Sequence, residues 1–332
     1  MFKGKIVLIT GGTGSFGKAY TKFLLDKTDI KALRIFSRDE LKQWEMANEL
    51  QHHPAAKKVR YLLGDVRDKD RLKRSFEGVD IVIHAAALKQ IPAAEYNPME
   101  CIKTNVLGAQ NVIESALDTE SISKVIAISS DKAVEPINLY GATKLCLEKL
   151  FLAANNIKGE KNIALSVVRY GNVMGSRGSV IPLFMQKKTK GTIPITSTNM
   201  TRFNLTLEDA IELVTFAINN CKGGEIIIPK IPSYRITDLV KAIAPHAETK
   251  IVGIRPGEKL NESLITTNES RYTWDIGKYY VVIPPNIYSD CKFNLKMFKT
   301  KKVPDGFSYT SDKNKKFLTV NEIKDLINKH IK

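Results

Sequence analysis

"KIVLITGGTGSFG", residues 5–17, is an apolar β-branched run that passes directly into three spaced glycines and then into a helical stripe. Lys5–Thr10 reads as a buried strand, and Phe16, Tyr20, Phe23 and Leu24 share one face of a helix over Phe16–Lys27. Gly11, Gly14 and Gly17 between them have the GxxGxxG spacing. Such a turn lets the backbone approach a pyrophosphate, whose charge is favoured at the helix N-terminus. Thr13, Ser15 and Phe16 lie in the same turn and join the glycines as expected cofactor contacts.

Outward from this turn the pattern repeats. Apolar strands are predicted at Ala32–Ser37, Lys58–Leu63, Val79–His84, Lys124–Ser129 and Ile163–Arg169, with helical segments such as Leu41–His52 between them. Strands alternating with helices imply an α/β fold: a doubly wound parallel sheet of Rossmann type, covered on both faces. The alternation fades near residue 175. Residues 1–175 are therefore read as the cofactor-binding domain, with some later segments returning to it. Residues 176–332 are read as a smaller, less regular substrate-binding part with a basic tail, containing helices near Leu207–Asn220 and Thr237–Ile243.

The second strand ends in "FSRDE", residues 36–40. An acid there would hold the ribose 2′-hydroxyl of NAD, and an arginine would accept the 2′-phosphate of NADP. Arg38 comes first, with Ser37 beside it and Lys42 a turn later, which favours NADP. "GDVRD" (64–68) places Asp65 and Val66 toward the adenine. The small residues of "HAAALKQ" (84–90), Ala85 and Ala86 among them, would let a dinucleotide lie flat, although compact packing would explain them equally well.

The reacting centre is sought in "SSDKAVEPINLYGATK", residues 129–144. Tyr140 and Lys144, at i and i+4, share a helix face, where an ammonium can lower the pKa of a phenol toward general-base use. Tyr288–Lys292 and Tyr309–Lys313 repeat the spacing, but the first trails Pro284-Pro285 and the second follows Gly306 in a turn-rich tail. Only the pair at 140 and 144 opens a good helix behind a strand. Asp131 and Lys132 beside Ser130 are more than a hydride transfer needs. They supply an acid for a departing hydroxyl and a base for a carbon-bound proton.

Bulk composition narrows the class. The chain has 332 residues, 43% apolar and 26% charged, which is a globular balance. The opening residues read as a first strand and not as a signal peptide, so cytosolic residence is expected. Four dispersed cysteines without a CxxC pair argue against a metal site. The net charge of +16 is spread along the chain, and the lysine-rich end lacks the interleaved aromatics of RNA readers, so no nucleic-acid partner is expected.

Five stretches together carry a resemblance: "TGGTGSFG", "HAAALKQIPAAEYNP", "SSDKAVEPINLYGATK", "RYGNVMGSRGSVIP" and "RPGEKLNE". The chain resembles the extended short-chain dehydrogenase/reductases, and within them the C5-inverting UDP-N-acetylglucosamine 4,6-dehydratases of pseudaminic acid biosynthesis. The similarity runs from residue 3 to residue 285. Retaining relatives often have methionine where this chain has Tyr140, and many carry N-terminal membrane helices. Gln90 departs slightly, since histidine is frequent there.

The resemblance implies an internal redox cycle. Tyr140, assisted by Lys144, would take the C4 hydroxyl proton as hydride passes to NADP. Lys132 would then remove the C5 proton, Asp131 would protonate the departing O6, and hydride would return to C6. Thr104, Asn105 and Lys89 complete the implied cofactor set. Lys89, Ser130, Asn172, Val173, Arg177, Thr196, Arg202, Arg255 and Glu258 form the implied substrate set, with Asn172 and Arg177 on the UDP diphosphate. Arg202, Arg255 and Glu258 are read first as substrate contacts, with domain-closing salt bridges as the other reading. Relatives further imply a homo-oligomer (dimer or hexamer), no membrane partner, and a product destined for flagellin. A UDP-sugar 4-epimerase and a retaining 4,6-dehydratase are the rival readings.

Overall fold

The computed structural model describes residues 1–176, 180–187, 191–285 and 293–331. Six parallel strands form the centre of one sheet: β1 (Ile6–Thr10), β2 (Ala32–Ser37), β3 (Val59–Leu63), β4 (Ile81–His84), β5 (Lys124–Ser130) and β6 (Ala164–Tyr170). Their order across the sheet is β3-β2-β1-β4-β5-β6, the doubly wound arrangement expected from the alternation. β4 and β6 are buried at every position, because helices cover both faces. The glycine turn leads from β1 into helix α1 (Ser15–Lys27). Gly11 sits at φ +66°, and a Cβ there would lie 2.8 Å from the Ala86 Cα, so only glycine lets the loops after β1 and β4 meet.

The sheet is wider than the fading alternation predicted. Ile226–Pro229 adds in parallel to β6, and Tyr279–Val282, Thr273–Asp275 and Lys301–Lys302 follow antiparallel to the edge. These strands come from distant parts of the chain without helices of regular spacing between them, so no local period announced them. Helix Leu207–Asn220, at its predicted bounds, packs on the same layer as α1, where the Tyr20 hydroxyl meets Thr215 Oγ1 at 3.0 Å.

A second apolar cluster stands apart from the sheet. It gathers Ile193, Ile195, Met200, Tyr234, Leu239 and Ile323. The basic end contributes to it: helix Val320–His330 buries Ile323 and Ile327 and turns its lysines outward. The tail is thus a docked amphipathic helix and not only a solvated run. Among the described residues no helix is long and apolar enough to cross a membrane.

Candidate active site

A cleft of about 440 Å³ opens between the sheet and the second cluster. Lys132 and Asn172 reach it from the C-terminal ends of the parallel strands, and Thr196, Arg202, Arg255, Glu258 and Glu262 face them from later segments. Open α/β sheets present ligands at this end.

The catalytic segment is built by local capping. Asn138 ends the loop and accepts from Gly141 N at 2.7 Å, starting the long helix Leu139–Ile157. A Cβ on Gly141 would stand 2.2 Å from the Lys132 carbonyl oxygen. That glycine therefore lets the helix press against the turn Asp131–Ala133. Tyr140 and Lys144 both become buried, one turn apart.

From Tyr140 a line of polar contacts runs to the cleft. The Tyr140 hydroxyl is hydrogen-bonded to Ser130. Ser130 Oγ donates to Asp131 Oδ1 at 2.8 Å, and Lys132 Nζ donates to the same oxygen at 3.0 Å. Lys132 Nζ also donates to Asn172 Oδ1 at 3.2 Å and pairs with Glu262 Oε1 at 3.3 Å. Asp131 is fully buried behind Lys132, which alone of the two lines the cleft. Neither side chain points into bulk solvent.

The electrostatics correct one expectation. Burial pushes the Tyr140 phenol up to about 12, and the cation that opposes this is Lys132. Lys144 instead donates to the Ile128 carbonyl at 2.8 Å, and burial pushes it down to about 8, against the pull of Glu148. The i, i+4 spacing puts both groups on one face, but the strand end claims the ammonium first. Burial also acts to lower Lys132, yet Asp131 and Glu262 outweigh it and hold the ammonium above its ordinary range. Lys132 therefore rests charged.

The expected cofactor positions fall along the top of β1, β2 and β4. Thr13 Oγ1 and Ser37 Oγ share a hydrogen bond of 2.9 Å beneath the glycine turn, with Gly14, Ser15, Phe16 and Gly17 opening α1. Arg38 is about half exposed and lies 3.7 Å from Asp65, which Arg67 also grips at 2.7 Å. Lys42 pairs with Asp39, the N-cap of helix α2 (Glu40–Leu50). Val66 is buried, and Thr104 keeps a buried hydroxyl without a partner. Asn105 holds Leu88 through both ends of its amide and reaches Thr143 at 2.9 Å, so it fastens the loop carrying Ala85, Ala86 and Lys89 to the long helix. Lys89 is exposed at the residue level, but desolvation of its ammonium, joined by the charge of Lys132, pushes its pKa down.

On the substrate side, Thr196 donates to Glu258 Oε2 at 3.2 Å. Val173 is half-buried beside Asn172, and Arg255 is an exposed cation on the cleft wall. Arg202, placed in the implied substrate set with a closing salt bridge as the other reading, lines the cleft but spends its guanidinium on the protein itself. It donates to the carbonyls of Thr201 (2.7 Å), Leu260 (2.9 Å) and Lys259 (2.9 Å) and lies 3.6 Å from both Glu258 and Glu262. Arg177 and the Tyr288–Lys292 pair lie outside the described residues. Tyr309 sits in a strand with its hydroxyl locked on the backbone of Ile231, so the third Tyr-Lys spacing is structural.

Two features went unread in the sequence. Glu262 ends the quoted motif "RPGEKLNE", yet nothing local marks it as facing Lys132, over a hundred residues away. Its segment is docked by Asn138 Nδ2 on the Gly257 carbonyl at 2.7 Å and by Lys259 on that of Val134. Arg169 is fully buried between Glu148 (2.6 Å) and Glu269 (2.9 Å), and Glu148 also accepts from Ser129 at 2.6 Å. This cluster ties β5 and β6 to the helix that carries Tyr140.

A doubly wound sheet, a glycine turn after its first strand and a Tyr-Lys pair behind its fifth define an extended short-chain dehydrogenase/reductase. Residues 7–284 match the family described as polysaccharide biosynthesis protein, and the chain belongs to it. It is 52% identical to a UDP-N-acetylglucosamine 4,6-dehydratase (inverting) of Campylobacter jejuni, over 99% of this chain and 98% of that one. A UDP-glucose 4-epimerase of Rickettsia typhi is 43% identical over 98% and 96% of the two chains. The X-ray structure of Pen from Bacillus thuringiensis superposes with a TM-score of 0.89 at 37% identity, covering 99% of this chain and 98% of that one.

Proposed function

We infer that this chain is a UDP-N-acetylglucosamine 4,6-dehydratase that inverts C5. The observation that carries the mechanism is the ion pair of buried Asp131 with half-buried Lys132, placed between Tyr140 and the cleft. A 4-epimerase needs the tyrosine and the cofactor but has no elimination for such a pair to serve.

Gly11, Thr13, Gly14 and Gly17 at the first turn would hold a nicotinamide cofactor, which would supply a hydride acceptor for C4 and a donor for C6. Tyr140, as its phenolate, takes the C4 hydroxyl proton. The resulting ketone acidifies C5; Lys132, once its ammonium has released a proton to solvent, removes the one on C5, and Asp131 protonates O6 so that it leaves as water. After hydride reaches C6, C5 takes a proton on the opposite face, which inverts it. Asn172 and Arg255 line the nucleotide side, where the arginine fork suits phosphate oxygens. The sheet layer is assigned to the cofactor, and the second apolar cluster with its flanking loops to the sugar nucleotide. Work on a nucleotide sugar needs no membrane or nucleic acid, and cytosolic residence and a homo-oligomer agree with the reading.

Turnover of UDP-N-acetylglucosamine in deuterium oxide is expected to give a 6-deoxy-4-ketone labelled at C5 and inverted there by NMR. Recovery of UDP-N-acetylgalactosamine without loss of water would make the protein an epimerase.

The cofactor is NADP on this reading, because Arg38 stands half exposed at the end of β2. NADP is expected to bind more tightly than NAD by titration. Arg38→Ala should lose about tenfold in NADP affinity and little for NAD, since a hydrogen bond to a charged group contributes about 1.5 kcal/mol or more. Equal affinities in the parent protein would remove that role from Arg38.

A further inference from the structure

Two cations and two carboxyls meet behind the cleft. Lys132 Nζ is 3.0 Å from Asp131 Oδ1 and 3.3 Å from Glu262 Oε1, while Arg202 Nε is 3.6 Å from that same glutamate oxygen. Asp131 is fully buried and Glu262 nearly so. Each has one buried oxygen without a hydrogen-bond partner, Asp131 Oδ2 and Glu262 Oε2. Both carboxyls are desolvated and share the Lys132 ammonium, so burial and their mutual repulsion favour a proton on the one with less cationic contact. Contact decides which: Glu262 touches both cations, and Asp131 touches one.

We propose that Glu262 is a positioning residue for the elimination, serving as the standing anion of Lys132 and Arg202 and so leaving Asp131 protonated as the acid. The use made of that proton rests on the dehydratase reading; its location does not. The other groups facing the cluster are Tyr140 and Ser130 from the catalytic segment, Tyr234 from the antiparallel strand Ser233–Arg235, and Lys259 and Glu258 from the docked segment. Among them Lys259 favours the ionised form of Glu262, while the Ser130 hydroxyl, donating to Asp131, opposes its protonation without outweighing burial. Burial raises the Asp131 carboxyl, Lys132 opposes that, and Glu262 adds to it. Burial works against ionisation of Glu262 too, but Lys132, Arg202 and Lys259 hold that carboxyl below its ordinary value.

Infrared difference spectroscopy of the whole protein tests this without turnover. At neutral pH the wild type should show the carbonyl band of a protonated carboxylic acid, and Asp131→Asn should remove it. In Glu262→Gln the band should titrate about 1–3 pH units lower, because an anion within a few ångströms has been removed. Glu262→Asp, which keeps the charge, should titrate close to the wild type. The proposal is overturned by a wild type without the band, by a band that survives Asp131→Asn, or by equal shifts in Glu262→Gln and Glu262→Asp. Should Glu262→Gln not fold, the wild type and Asp131→Asn spectra still decide where the proton sits. Failure to dehydrate UDP-N-acetylglucosamine would overturn the functional reading and leave the band intact.

Discussion

Lys132→Ala is expected to stop dehydration while leaving the cofactor bound and, because Lys132 is also the cation beside Tyr140, oxidation at C4 slowed but not abolished. General acid–base groups contribute about 100- to 10,000-fold in rate, and removal of the base should cost an amount in that range. The cycle should then stall after its first hydride transfer. Reduced nicotinamide would accumulate when UDP-N-acetylglucosamine is added, a state the complete cycle keeps transient. The measurement is product formation by NMR beside cofactor absorbance. Water loss within tenfold of the parent rate would remove the assignment of the base. Because Lys132 is held charged and Asp131 must keep its proton, the parent rate should rise with pH only until the Asp131 acid begins to titrate, and then level off. Lysine 144, already relaxed toward neutrality by burial, is not an equivalent substitute, since it is bonded to the Ile128 carbonyl.

Arg169→Met is expected to destabilise the fold more than any change on the cleft wall. The guanidinium is held by Glu148, Glu269 and the Leu264 carbonyl at 2.6–3.0 Å. Breaking a buried pair from one side strands an uncompensated charge and costs about 3–5 kcal/mol. Here two carboxylates would be stranded. Urea unfolding with the parent chain as reference reads the loss, and a change under about 1 kcal/mol would show that water or rearrangement compensates the pair. The Glu269 carboxyl is held below its ordinary value: burial opposes this, but Arg169 outweighs it. Its contribution is therefore present above the unfolded carboxylate pKa of about 4 and is lost as pH falls through the folded value. The variant should lack that acid-labile part. Since Glu148 also holds Ser129, loosening the cluster should blunt activity by moving the helix that carries Tyr140.

Much of this was legible before any coordinates. Gly11 and Gly17 bracket a turn that must follow a strand and open a helix, and the strands through β6 were readable because each is a short apolar run with a helix behind it. Lys301–Lys302 was not readable: two exposed lysines carry no strand signal until Thr273–Asp275 offers them partners. The site divides in the same way. Asp131, Lys132, Tyr140 and Lys144 lie within fourteen residues, and a helix start brings them together. Glu262 carries no such local mark, and nothing local showed that the Arg202 guanidinium would be taken up by the carbonyls of Thr201, Leu260 and Lys259.

Sequence alone determined the sheet's parallel strands, the glycine turn and the grouping of Asp131, Lys132, Tyr140 and Lys144, because those depend on interactions spanning a few turns of chain. Tertiary structure decided which charges neighbour which. It put Glu262 against Lys132, turned Arg202 inward to three backbone carbonyls, and set Lys132, in place of Lys144, against the upward push of burial on the Tyr140 phenol. Ionisation in a buried site follows from distances of three or four ångströms between segments, and only the packed chain sets those.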